Sequence, residues 1–568
     1  MRDLSCLEMR RKVALSLAVF FFAGLFAASL LSAQSPAAPG AVSSVWNPDL
    51  GDGSYKNPIL YADYSDPDAI RVGNDFYMVA SSFDAVPGLP LLHSRDLIHW
   101  ELIGHALHRQ PPYDVYSKPQ HGNGVWAPSI RLHDGVYYIF YPDPDYGIYM
   151  IKAPSILGPW SEPLLIKAAK GWIDPCPLWD GDGNAYLISA LAASRAGLKN
   201  ALVLSRMAPD GSRLLDDGAI IIDGHAQETT LEGPKIYKRH GYYYIFAPAG
   251  GVTAGYQLVY RSRSIYGPYE RRVTLAQGKT VTNGPHQGAW VDTAAGEDWF
   301  LHFQDRGVFG RVVSLEPMQW GADDWPTMGV HLSAAGTGEP VESYRKPKLD
   351  AGGVLSNPAD SDEFNSSALG LQWQWQANPE PNWDFPTPAV GTLRLVNVPA
   401  QVSAGGAAPA ANADLNLWTL PNLLLQKFPA PAFTVTTKVT FTPRSAGDQT
   451  GLVVLGRSYS ALVLRKSEAG LSLRQTTRLE ADQGGTATDS AEIPVQGDTF
   501  YLRAAVDNRA MVHFFYSLDG KSYQAIGSPF QSVTGVWIGA KIGLFATGTQ
   551  EHNELGYADY DWFRFDME

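Results

Sequence analysis

Three carboxylates, Asp66, Asp174 and Glu232, open segments with one grammar: Asp66-Pro67-Asp68-Ala69-Ile70, Asp174-Pro175-Cys176-Pro177-Leu178 and Glu232-Gly233-Pro234-Lys235-Ile236. His286 opens a looser copy, His286-Gln287-Gly288-Ala289-Trp290. Acids gathered in one funnel can take opposite roles, because their surroundings push their pKa values apart and leave one protonated while another is ionised. Acetal hydrolysis needs that division, with a protonated acid beside the leaving oxygen and an ionised carboxylate on the opposite side. A plainer reading makes Asp-Pro and Glu-Gly-Pro turn starters. A turn starter, however, would recur in every unit with Asn or Ser as equals, whereas here its identity changes from unit to unit.

The elements that must position these residues are visible as a repeat. Each segment runs into a turn and then an aromatic strand, as in Ala127-Pro128-Ser129-Ile130-Arg131 leading to Val136-Tyr137-Tyr138-Ile139-Phe140. The copies begin at 66, about 127, 174, 232 and 286, so a unit is roughly 47 to 61 residues, the size of a propeller blade. Turns such as His133-Asp134-Gly135 and Arg239-His240-Gly241 supply hairpin chemistry between β-rich runs. A second motif closes most units: Ser94-Arg95-Asp96-Leu97-Ile98-His99-Trp100, Ile156-Leu157-Gly158-Pro159-Trp160 and Ile265-Tyr266-Gly267-Pro268-Tyr269. No sustained amphipathic helix competes. The spacing predicts an all-β, five-bladed β-propeller whose innermost strands bring Asp66, Asp174, Glu232 and His286 to one axis.

At this point the chain resembles glycoside hydrolase family 43, through Asn57-Pro58-Ile59-Leu60, Ser65-Asp66-Pro67-Asp68, Trp126-Ala127-Pro128, Ile173-Asp174-Pro175, Leu231-Glu232-Gly233-Pro234 and Phe309-Gly310-Arg311. The resemblance implies that Asp66 is a general base activating water, Glu232 a general acid, and Asp174 a neighbour that raises and orients the acid. It implies inversion, for which the two working carboxylates stand roughly 6.5–9.5 Å apart. It makes Arg311 a substrate-contacting arginine, with a surface ion pair as the alternative, and Phe83 and Trp126 read as apolar walls of the innermost subsite, with a core role as the rival. Asp63 and Asp68 are acids of the right type that the family pattern passes over. His286 resembles an axial histidine that approaches a calcium in many members, so a structural calcium is an expectation while the chemistry requires no cofactor. Oxygen ligands suit calcium better than imidazole does, so the contact could run through water, and His286 could instead serve only to neutralise the acidic funnel.

The ends and composition bound the rest. Arg10, Arg11 and Lys12, the apolar run Val13 to Leu31 and the exit Ser32-Ala33-Gln34 form a signal-peptide pattern, with a retained membrane anchor as the rival. Export to the periplasm or the medium is expected, without stable membrane association after cleavage. Residues 1–33 hold four basic and two acidic residues, so their removal moves the formal charge from -13 to -15 and leaves no basic block. Nucleic acid is therefore a poor partner. Cys176 is the one cysteine beyond that segment, so burial rather than disulfides must hold the fold.

The expected organisation is a signal peptide at 1–33, a linker at 34–56, the propeller at 57–332, a Gly/Ala/Pro/Ser-rich linker and strap at 333–360, and a β-sandwich at 361–568. The last part has short alternating strands at sandwich spacing. Its Asp362-Glu363-Phe364, Leu371-Gln372-Trp373-Gln374-Trp375 and Asp561-Trp562-Phe563 resemble the concanavalin-like jelly roll that follows many xylosidase members of the family. Glu363 and Asp561 could hold a calcium or could simply be paired surface charges.

The resemblance points to an exo-acting enzyme that removes terminal β-D-xylose or α-L-arabinofuranose from xylan- or arabinan-derived oligosaccharides. An endo-arabinanase with an open groove, or a propeller that only binds glycans, are the alternatives. A retaining fructosidase would need an Asn-Asp-Pro-Asn strand and an Arg-Asp-Pro motif, and neither is present.

Overall fold

The computed structural model describes residues 43, 45–349, 352, 355–400, 414–549 and 553–567. The signal-peptide segment lies outside them. Among the described residues no helix is long and apolar enough to cross a membrane.

Five four-stranded antiparallel sheets follow one another along the chain, each built from consecutive strands. Their innermost strands are Asp68–Val72, Ser129–His133, Trp172–Trp179, Lys235–Arg239 and His286–Asp292, which define blades 1 to 5. The first hairpins turn where the sequence supplies left-handed residues, such as Asp134 (φ 47°) with Gly135 (φ 76°) and His240 (φ 49°) with Gly241 (φ 76°). The closing motif has a repeated purpose between the third and fourth strands. The Trp100 indole donates to Leu97 O at 3.0 Å, Trp160 to Ile156 O at 3.3 Å and the Tyr269 hydroxyl to Ile265 O at 2.8 Å. Each aromatic folds back over its own turn and fixes where the outermost strand begins.

Among the described residues no strand is exchanged between the first and last blades, so the ring needs another fastening. The segment before blade 1 supplies it. Asn57 accepts from Leu315 N at 2.9 Å and donates to Leu315 O at 2.9 Å, and the Tyr55 hydroxyl donates to the same carbonyl at 2.7 Å. Leu60 then pairs with Val313 through both backbone groups, at 3.3 and 3.1 Å. Ser54–Lys56 also forms a two-stranded ribbon with Ser343–Arg345, so both stretches expected to be linkers contain ordered strand.

The second part is a sandwich of a nine-stranded and a seven-stranded sheet, with a shared core that includes Trp373, Trp375, Phe433, Leu452, Phe500 and Phe563. Burial alternates strictly along Thr499–Val506, the period-2 pattern of a strand with one face on the core. Propeller and sandwich belong to one compact unit spanning residues 39–568. Val86 and Trp375 exchange backbone hydrogen bonds at 3.0 and 2.6 Å, the Asn378 side chain binds both Gln110 N and O, and the His121 ring stacks on Trp418 at 3.5 Å between centroids. The observed architecture is the expected one, an all-β five-bladed propeller followed by a sandwich.

Candidate active site

The inner strands are irregular where the acids sit. Asp66, two residues ahead of blade 1, and Asp174, inside the inner strand of blade 3, both have φ 55°. At Asp174 the pairing slips between Ile173 and Cys176. Left-handed backbone at a residue other than glycine costs about 1–3 kcal/mol and persists only where surrounding contacts impose it. Here the contacts aim both side chains at the axis.

Asp66 is buried, and its Oδ2 accepts a 2.6 Å hydrogen bond from Ser81 Oγ. Arg311, opening the third strand of blade 5, donates through Nη1 to Asp66 Oδ1 at 3.2 Å, with its guanidinium over the Phe303 ring at 4.9 Å. Asp174 Oδ2 accepts from Gly233 N at 2.7 Å, beside Glu232. Burial first, then the charge of Glu232, push the Asp174 carboxyl up to about 8, against the opposing pull of the Gly233 N–H and of Lys235. Two such close carboxylates cannot both ionise cheaply, so the pair holds a proton near neutrality. Lys235 is itself buried on the axis, donating to Pro128 O at 2.9 Å and Ser129 Oγ at 2.7 Å.

Glu232 is the most open of the three, its side chain 26% exposed against 7% for Asp66. Its Oε1 shares a 2.9 Å hydrogen bond with His286 Nε2. That contact changes the reading of His286. Its Nε2 is engaged by the carboxylate, its buried Nδ1 has no hydrogen-bond partner among the described residues, and no group of three or more His, Cys, Asp or Glu there could hold a metal ion. The structure thus pairs His286 with Glu232, in line with the alternative in which it neutralises the acidic funnel. In the sandwich, Glu363 is gripped by Arg564 through two 2.6 Å bonds and Asp561 by Lys438, so both are paired charges.

Asp66, Asp174, Glu232, His286, Arg311, Phe83 and Trp126 all line one cavity of about 320 Å³. Phe83 (φ 52°) is fixed by two backbone hydrogen bonds to Val125, at 2.9 and 3.0 Å, and Trp126 by its indole donating to Gly122 O at 2.7 Å. Asp68 stays out of the cavity. It accepts from Ile130 N and Arg131 Nη1, at 2.8 and 2.6 Å, and Arg131 reaches on to Cys176 Sγ at 2.9 Å, so these residues tie three blades together.

Sequence reasoning missed Trp537, Ser81, Thr230, Val252 and Gln287. Trp537 comes from the sandwich, is 52% exposed, and meets Trp126 edge-on at 6.2 Å on the cavity rim. No repeat phase could point to it. Ser81 follows the second strand of blade 1, where the repeat alone gives no reason to prefer one polar residue to another.

Residues 55–326 match the model for glycosyl hydrolases family 43, and residues 361–566 that for the β-xylosidase C-terminal concanavalin A-like domain. The chain is 38% identical to a putative β-xylosidase of Xylanibacter ruminicola over 88% of each chain. It is 28% identical to a non-reducing end α-L-arabinofuranosidase of Bacteroides ovatus, over 91% of this chain and 96% of that one. A solved family-43 protein from Bacillus licheniformis, 26% identical, superposes with a TM-score of 0.76 over 91% of this chain and 100% of that one. With five blades, three converging acids and a sandwich across the rim, the chain belongs to glycosyl hydrolases family 43 and is a glycosidase.

Proposed function

We propose that this glycosidase releases terminal pentose, β-D-xylose or α-L-arabinofuranose, from the non-reducing ends of xylan- or arabinan-derived oligosaccharides. One observation carries the reading: the sandwich sets Trp537 at the rim of the cavity that holds Asp66 and Glu232. A cavity of about 320 Å³ partly closed by an aromatic suits a chain end rather than a threaded polymer.

The bonds change in a single displacement. Asp66 draws a proton from a water whose oxygen attacks the anomeric carbon. The glycosidic C–O bond breaks, Glu232 gives its proton to the departing oxygen, and the anomeric configuration inverts. Asp66 then loses its proton to solvent while Glu232 regains one. Arg311 holds the Asp66 carboxylate in place, His286 orients Glu232, and Asp174 shares the site's proton. No step passes through a metal. The amino-terminal pattern supports export of the chain to the periplasm or the medium.

The test is nitrophenol release from aryl β-D-xylopyranoside and aryl α-L-arabinofuranoside, beside linear arabinan, by wild type and Asp66→Ala. Turnover of an aryl pentoside that vanishes in the variant supports the proposal and ranks the pentoses. Silence on both with internal cleavage of arabinan would replace it with an endo-arabinanase, and silence on all three with a glycan-binding propeller.

A further inference from the structure

Asp63 lies three residues before Asp66, is buried, and plays no part in the displacement derived above. Its two oxygens go to different domains. Oδ1 accepts from the backbone N of Arg311 at 3.0 Å, and Oδ2 accepts from the backbone N of Gly539 in the sandwich at 2.8 Å. The approach is tight. A Cβ on Gly310 (φ 80°) would fall 2.5 Å from Asp63 Cβ, and one on Gly539 would fall 2.5 Å from Gly310 N. Ala540 N adds a 2.8 Å bond to Val308 O.

The other side of the same sandwich loop is held by shape. A Cβ on Gly122 would come within 2.5 Å of Val536 Cγ1. Between these anchors stands Trp537, half exposed and with φ 65°, a conformation that surrounding contacts must hold. Burial raises the Asp63 carboxyl, against the pull of the Arg311 and Gly539 N–H groups and of the charges that face it on Lys427, Arg311 and Lys541.

We propose that Asp63 is a positioning residue that sets two walls of the sugar pocket at once, seating Arg311 against Asp66 and Trp537 over the rim. It rests on the reading of Asp66 as base. A carboxylate suits the task because both oxygens accept. The amide of Asn accepts through one oxygen only and turns an NH₂ group toward the second N–H donor.

The experiment compares wild type, Asp63→Asn, Trp537→Ala and the double variant on an aryl pentoside, with kcat and KM resolved. Asp63→Asn is expected to lower kcat about tenfold, through Arg311, and to raise KM about tenfold, through Trp537. In the double variant the KM is expected to stay near that of Trp537→Ala, because the same wall has already been removed, while the kcat loss remains. Multiplying KM effects, or kcat and KM within about twofold of wild type alongside a lowered melting temperature, would overturn the proposal and leave Asp63 as a packing contact. Where Asp63→Asn does not fold, Asp63→Glu keeps the charge but displaces both oxygens, and is read the same way. A wild type without pentosidase activity would instead sink the functional reading.

Discussion

The propeller and the sandwich use the same side chains to opposite ends. On the sandwich surface, Asp559 is clasped by Arg394 through two 2.8 Å bonds, Glu363 by Arg564 through two of 2.6 Å, and Asp561 by Lys438. In the funnel, Asp174 and Glu232 face each other, and Asp174 is pushed up to about 8. Both domains carry register slips, but those of the inner strands of blades 3 and 5 fall at Asp174 and beside His286, whereas that of the Phe433–Thr442 strand falls at Lys438, the partner of Asp561 on the sandwich surface. Each sandwich carboxylate is matched to its own cation and holds surface, whereas in the funnel Asp66 meets Arg311 but Asp174 faces a second acid. Two acids made to share a proton on a bent strand can do chemistry.

The largest effects should fall in the funnel. Asp66→Ala is expected to lose about 10³–10⁴-fold in kcat/KM on every substrate. Glu232→Ala should lose as much on natural oligosaccharides and far less on aryl glycosides whose leaving groups need no proton. Equal losses of Glu232→Ala on both substrate types would break the assignment of acid and base.

Asp174→Asn should cost about 10²-fold in activity and should also change stability with pH. The Asp174 carboxyl is raised from 3.8 to about 8, so between those pH values the folded chain holds a proton that the unfolded chain has lost. Stability from this group is complete below pH 3.8 and drains away as pH rises through about 8. Melting temperatures at pH 5 and 9 should therefore show Asp174→Asn gaining on wild type as pH rises. An unchanged difference would place the proton elsewhere.

Trp537→Ala should raise KM about tenfold, the scale of one lost aromatic contact, with kcat little changed, and should admit longer side branches, read from the products of branched oligosaccharides. The smallest effect belongs to the sandwich. Glu363→Ala removes a pair that is about half exposed, and a loss of 0–1 kcal/mol in a denaturant titration is expected, with activity unchanged. A drop of several kcal/mol there would show that the sandwich charges do more than coat its surface.

The funnel was legible because a propeller turns repeat phase into position. The starts at 66, 174, 232 and 286 needed only the blade length to converge, whereas Arg311 came from the resemblance to the family rather than from the repeat. Contacts that ignore the repeat were not legible. Asp63 meets Gly539 across 476 positions of chain, and Trp537 reaches the pocket because glycines at 122, 310 and 539 let two domains touch. For His286 the family resemblance offered a calcium neighbour or a neutralising charge, and only geometry shows its ring nitrogen against Glu232.

The ring is fastened where Asn57 and Leu60 of the leading segment meet blade 5, and Asp66 lies just beyond that seam, held by Arg311 from the far side. Chains emerge from the ribosome amino-terminus first. The base therefore waits without its arginine until blade 5 has been made, and the pocket lacks its rim until the last strands of the sandwich arrive. A chain stopped before blade 5 would lack both Arg311 beside Asp66 and His286 beside Glu232, so full activity depends on completing the ring.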